Sequence, residues 1–81
     1  MYYLYILKCS DNSLYTGITN NLEQRFQCHE DGKGSKYVRS RLPFEHIYTE
    51  NFENRSDALK KEKLIKSWSR DEKIKLLDLK A

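Results

Sequence analysis

No segment of this 81-residue chain is apolar for long enough to cross a bilayer. The most apolar stretch is Met1–Cys9 (MYYLYILKC), which has neither a basic leading region nor a small-residue cleavage site, so it does not read as an export signal. Cysteine is scarce: Cys9 and Cys28 are the two present, and neither belongs to a CxxC pair. That excludes a disulfide scaffold and points to a reducing compartment. A soluble, cytoplasmic protein is the expectation. Proline occurs once and glycine three times, and there are no repeats, linkers or low-complexity segments. The length leaves no room for a second domain, so residues 1–81 are expected to form one. Acidic residues do not balance the basic ones, and the net charge of +3 permits an anionic partner without requiring one.

What is present is a compact alternation of short elements. Tyr2–Lys8 (YYLYILK) is aromatic and aliphatic, too short for a helix and rich in strand formers. Ser10–Ser13 supplies four turn-forming residues, and Leu14–Thr19 is again rich in strand formers, so a β-hairpin is expected. Thr19 or Asn20 can cap a helix in which Leu22, Phe26 and His29 share a face, stopped by Gly32 and Gly34. Lys33–Arg41 reads as a basic connection with room for a short helical piece, and Pro43 leads into a third strand, Phe44–Thr49. Its apolar residues fall on both faces, which suggests that both are covered. Ser56 is the expected cap of a second helix carrying Ala58, Leu59, Glu62, Leu64, Ile65 and Trp68. Ser69 and Glu72 form a capping box for a third, with Ile74, Leu76, Leu77 and Leu79 as its contacts. The fold class is therefore α/β of the α+β type: a small three-stranded antiparallel sheet flanked by helices, in the order β-β-α-β-α-α.

Five polar residues stand out in this frame. Tyr5 and Tyr15 lie within the two hairpin strands. Arg25 and His29, four apart, project from one side of the first helix. Glu62 sits among apolar positions of the second, where a carboxylate needs a partner. Each has a plainer reading. With six tyrosines in the chain, any one is by default half-buried core. Arg25 can pair with a surface acid, His29 can be structural, and Glu62 can be a solvated residue between Lys60, Lys61 and Lys63. The basic runs Lys33–Arg41 and Lys60–Lys66 read first as solvated faces.

Taken in order, these residues resemble the GIY-YIG nuclease superfamily. Tyr3-Leu4-Tyr5, nine residues, then Tyr15-Thr16-Gly17 is similar to its paired GIY and YIG tripeptides. Gly17–Arg25 resembles the loop and arginine-bearing helix that follow, with His29 one turn on. Ala58–Lys66 looks like the helix that carries the family's metal-binding glutamate. Gly32-Lys33-Gly34-Ser35-Lys36-Tyr37, before an Arg-x-x-Pro-like turn, resembles the small stand-alone members. Tyr3 and Leu4 replace the glycine and isoleucine of GIY, and Thr16 replaces the middle residue of YIG. Ile18 stands where some relatives have a lysine or polar residue, and the asparagine that several relatives place after the glutamate helix has no clear match.

The resemblance implies an endonuclease that hydrolyses phosphodiester bonds of nucleic acid, expected to be DNA, with one Mg²⁺ or Mn²⁺ ion held by Glu62. A single carboxylate suits Mg²⁺, which keeps several waters. Arg25 presents donors matched to phosphate oxygens. Tyr15 is the preferred base, with Tyr5 as its hydrogen-bonding partner or as the base itself, and His29 either relays the proton or touches phosphate. Lys36, Arg39 and Arg41 are candidates for tracking the backbone, and Tyr37 for stacking on a base. A monomer acting on nucleic acid, with a partner protein supplying specificity and no membrane attachment, completes the expectation. Three other readings compete: a binding module of the same fold with weak or lost catalysis, a thiol or zinc protein using Cys9, Cys28, His29 and His46, and an interaction domain. The last would dock Trp68 and the Leu76, Leu77 and Leu79 cluster on a repair or recombination protein.

Overall fold

The computed structural model describes residues 1–79, so the last two residues of the expected 1–81 unit lie outside it. Strand β1 spans Tyr2–Lys8 and β2 spans Leu14–Thr19, the two ranges expected from their aromatic and β-branched content. Helix α1 covers Leu22–Glu30, and the short piece within the basic connection is a helical turn, α2, Lys36–Arg39. Strand β3 (Glu45–Phe52) is followed by helices α3 (Arg55–Lys66) and α4 (Arg70–Leu76). The sheet is antiparallel with β1 in the centre, in the order β2-β1-β3. Among the described residues no helix is long and apolar enough to cross a membrane.

Alternating side chains give the sheet two apolar faces. On one, Leu4, Ile6 and Leu14 pack with Ile65 of α3 and with Trp68, Ile74, Leu77 and Leu79. On the other, Tyr5 and Leu7 pack with Val38 of α2 and with Leu22 and Phe26 of α1. Strand β3, which begins at Glu45 and not at the expected Phe44, slips by one residue in its pairing to β1. Ile6 opposes Tyr48 while Leu7 opposes His46, and Ile47 is left over as a bulge. Ile47 and Tyr48 therefore both reach the first face, while Phe44 joins the second. The bulge accounts for the broken alternation, and β3 runs to Phe52, beyond the expected Thr49.

The helix caps differ from expectation in detail. Asn21, not Thr19 or Asn20, caps α1, its side chain accepting from the Gln24 amide at 3.0 Å. Asn54, not Ser56, caps α3 through the Asp57 amide at 2.9 Å, which places Ser56 inside the first turn. Ser69 and Glu72 do form the capping box of α4. Leu64 and Leu76 were counted among the apolar contacts, yet they are 50% and 59% exposed. Each falls on the outward side of a helix whose neighbours Ile65 and Leu77 fill the core. Trp68 packs against that core as well.

Candidate active site

The site grows from the second face of the sheet. Tyr5 lies opposite Gly17, and Leu7 lies opposite Tyr15, so both tyrosines face the same way two residues apart. Gly17 is required where it stands. A Cβ there would lie 2.5 Å from the Tyr5 hydroxyl and 2.6 Å from its ring carbon Cζ, so only glycine lets that ring cross β2. Tyr5 is fully buried.

Helix α1 brings two partners to the Tyr5 hydroxyl. Arg25 Nε donates to it at 3.2 Å, and His29 Nε2 lies 2.8 Å away. The phenol oxygen accepts from Arg25 and shares a second hydrogen bond with His29 Nε2. Nδ1 has no hydrogen-bond partner and is sealed by Gly34, where a Cβ would come within 2.6 Å of it. The Gly34 carbonyl in turn accepts from Arg25 Nη2 at 3.1 Å. The loop from α1 to α2 thus holds Arg25 and packs on His29 at one residue. Gly32, at φ +77°, turns the chain out of α1 to make this possible. Asp31, Gly32, Lys33 and Gly34 all return backbone hydrogen bonds to the last turn of α1.

The electrostatics separate the two tyrosines. Burial pushes Tyr5 up to about 12, outweighing the lowering effect of the Arg25 hydrogen bond, with the charges of Tyr15 and Glu62 adding to the rise. Burial, then the Arg25 cation, holds His29 below its ordinary range, so it is neutral at pH 7. Arg25 is raised, chiefly by its bond to Tyr5, and the Tyr15 hydroxyl is close enough to contribute. Tyr15 is less enclosed than Tyr5. Its ring centroid is 6.4 Å from that of Tyr5, 5.5 Å from His29 and 5.8 Å from Tyr37, on which it stacks at 29°.

Glu62 approaches from the α3 side. Its side chain is 18% exposed, and its described ion-pair partner is Lys66 Nζ at 3.4 Å. Its link to the tyrosines is the charge that Tyr5 feels. Among the described residues no three His, Cys, Asp or Glu side chains are grouped to hold a metal, so Cys9, Cys28, His29 and His46 do not form a zinc site. A single hard carboxylate, partly shielded, fits an ion that keeps most of its waters, as Mg²⁺ does.

Several expected roles meet a different geometry. His29 is fully buried, so it does not offer its ring at the surface to a phosphate, and its Nε2 meets the Tyr5 hydroxyl instead. Arg41, expected to track a backbone, is engaged within the protein: Nε pairs with Asp11 Oδ2 at 2.9 Å, and Nη1 donates to the Tyr37 carbonyl and to Ser40 Oγ. Tyr37, expected to stack on a base, stacks on Tyr15 and carries the Arg41 guanidinium 3.9 Å above its ring. Lys36 and Arg39 are exposed and, among the described residues, make no ion pair. Gly34 and Asp11, a helix stop and a turn residue in sequence, have structural roles at the site. The GxG spacing after α1 was the available signal for the first, while nothing in the sequence ties Asp11 to Arg41 across 30 residues.

A sheet with two tyrosines facing one arginine and one histidine from the next helix defines a class, and the comparisons agree. The family model described as the GIY-YIG catalytic domain matches residues 1–75, and this chain belongs to that family. It is similar to UPF0213 protein OB0043 of Oceanobacillus iheyensis, 56% identical over 77 residues that cover 95% of this chain and 90% of that protein. UPF0213 protein CPE1444 of Clostridium perfringens is 49% identical over 81 residues, covering 100% of this chain and 87% of its own. Among solved structures, the solution structure of protein EF2693 from E. faecalis is 40% identical with a TM-score of 0.69, covering 95% of this chain and 82% of that one. The UPF0213 protein BH0048 from Bacillus halodurans, also 40% identical, has a TM-score of 0.63 and covers 96% of this chain and 84% of its own.

Proposed function

We propose that this protein is a metal-dependent endonuclease that hydrolyses phosphodiester bonds of DNA. The observation that carries this reading is the arginine held between two fixed acceptors. Arg25 spends Nε on the Tyr5 hydroxyl and Nη2 on the Gly34 carbonyl, which presents the rest of its fork beside Tyr15. A guanidinium so fixed is suited to receive phosphate oxygens and the charge they gain in the transition state.

Tyr15 is the base on this reading. Tyr5 is too strongly disfavoured as an anion to take that part, since burial pushes it to about 12. Its hydroxyl instead orients Arg25, with neutral His29 as its second hydrogen-bond partner. To act as base Tyr15 first gives up its own proton to solvent; as phenolate it then takes the proton of the attacking water and returns to the neutral phenol, with the Arg25 guanidinium beside it. Glu62 would hold one Mg²⁺ or Mn²⁺ ion, which supplies charge neutralisation at the leaving oxygen when bound. Lys36 and Arg39, exposed on α2, would follow the phosphate backbone. We assign the protein to the cytoplasm as a monomer, with a partner protein supplying specificity in DNA repair or recombination.

The test is cleavage of labelled single-stranded, duplex and branched DNA with Mg²⁺, with Mn²⁺ and with chelator, beside a folded Glu62→Ala variant. Metal-dependent cleavage lost in the variant is the expected result. One observation favours a second reading, a DNA-binding module without useful catalysis: Glu62 already has Lys66 as counter-ion at 3.4 Å. Salt-sensitive binding in both proteins with no cleavage by either would establish that module instead.

A further inference from the structure

We propose that Arg41 is a positioning residue for Tyr15, acting through Tyr37 and not through the nucleic acid. This inference rests on the reading of Tyr15 as the base.

Helix α2 is four residues long, too short to be stable alone, and its N-cap Ser35 makes no side-chain capping bond. Its place is set by two anchors. Val38 is fully buried in the second core. The other anchor is Arg41, which ties the end of α2 to the β1–β2 turn. Its Nε donates to Asp11 at 2.9 Å, while its Nη1 donates to the Tyr37 carbonyl at 3.1 Å and to Ser40 Oγ at 3.0 Å. The Arg41 carbonyl also accepts from the Ser10 amide at 2.9 Å. Asp11 is itself fixed, accepting from the hydroxyl and the amide of Ser13. Those bonds, with Arg41, hold its carboxylate below the usual range.

The guanidinium then sits over Tyr37, its Cζ 3.9 Å from the ring centroid. Tyr37 stacks on Tyr15. Tyr15 meets Tyr5 and His29 elsewhere, and both belong to the buried network. Tyr37, 37% exposed, is the neighbour of Tyr15 that has solvent to move into. Without Arg41 the ring of Tyr37 loses its cover and its carbonyl loses a donor, so Tyr15 gains rotational freedom. A base whose hydroxyl wanders from the attacking water loses turnover, not substrate binding.

The experiment compares the full-length protein with Arg41→Gln, Arg41→Lys and Asp11→Asn. Three quantities are read: kcat and KM for the DNA substrate, the pH–rate profile, and the fluorine NMR signal of 3-fluorotyrosine inserted at position 15. Arg41→Gln should lower kcat about tenfold with KM within about twofold. It should shift the alkaline-going rise of the pH profile, and shift or broaden the position-15 signal. Arg41→Lys should fail to restore these, because an ammonium lacks the fork that reaches Asp11 and the Tyr37 carbonyl together. Asp11→Asn, which keeps the guanidinium but weakens one arm, should be intermediate; it decides the matter if Arg41→Gln does not fold. A raised KM with unchanged kcat and an unchanged position-15 signal would overturn the proposal and make Arg41 a phosphate contact. If the parent protein cleaves no substrate, the nuclease reading fails by itself. The fluorine signal still decides the positioning: identical spectra in parent and Arg41→Gln would overturn it.

Discussion

Replacing Gly17 by alanine should unfold this protein at a markedly lower temperature, although the change adds only a methyl group. The new Cβ would stand 2.5 Å from the Tyr5 hydroxyl, 2.6 Å from Cζ and 3.0 Å from Cε2. Ordinary contact needs about 3.5–4.0 Å, so ring and strand must separate by about 1 Å. Tyr5 has nowhere to go: it is fully buried, with Phe26 edge-on at 5.4 Å and Tyr15 and His29 around it. Forced overpacking costs about 1–3 kcal/mol. Moving the hydroxyl off Arg25 and His29 leaves buried polar groups unpartnered, which costs about another 1–3 kcal/mol. A combined loss of about 3 kcal/mol, at about 4–8 °C per kcal/mol for a domain of this size, lowers the melting temperature by at least about 12 °C. Calorimetry of parent and variant at pH 7 measures this directly. Combining Gly17→Ala with Tyr5→Phe should cost less than the two separately, since the phenylalanine removes the nearest clashing atom and the bonds at stake. A Gly17→Ala protein melting within about 2 °C of its parent would refute the idea that the glycine exists to admit the ring.

Other expectations follow from the same network. On the proposed mechanism Tyr15→Phe and Arg25→Lys should each lower cleavage by at least about 100-fold while leaving the far-ultraviolet spectrum unchanged, because one would remove the base and the other the fork. His29 should make the fold acid-sensitive. Its folded pKa is depressed by burial, so below about pH 6.5 the unfolded chain binds a proton that the native state refuses. The stability it contributes is present above that pH and is lost as the pH falls; the urea midpoint should drop between pH 7.5 and 5, and less so in a folded His29→Gln variant. The double variant Lys36→Gln, Arg39→Gln should weaken DNA binding and reduce the salt slope by about 1–2, read from titrations at several salt concentrations. An unchanged slope would remove α2 from the DNA-binding surface.

The hairpin was legible because two kinds of local signal agree there: β-branched and aromatic strands on either side of a run of turn formers. The Ser69 capping box was legible for the same reason, as both partners sit within one turn. Asn54 was passed over for Ser56 because both are good caps two residues apart, and the choice depends on where α3 must start to bury Ala58 and Ile65. The bulge at Ile47 could not be read locally, since it is a property of the pairing with β1. At the site, Tyr5, Arg25 and His29 were found as a pattern, and the structure joins them at one hydroxyl. The tie between Arg41 and Asp11 could not be read locally, because charge in a basic run says nothing about a carboxylate 30 positions away.

One face of the sheet buries only aliphatic side chains, with aromatic ones packed around them, whereas the other carries a phenol, an imidazole and a guanidinium joined by hydrogen bonds. The groups proposed to react are also the groups that pack this face. If they do catalyse, a change at Tyr5, Gly17, His29 or Gly34 is exposed to selection twice, once through turnover and once through the amount of folded protein in the cell. A lineage that stopped needing the reaction could not readily shed these residues. Their persistence in an idle descendant would record an architectural debt and not a working catalyst.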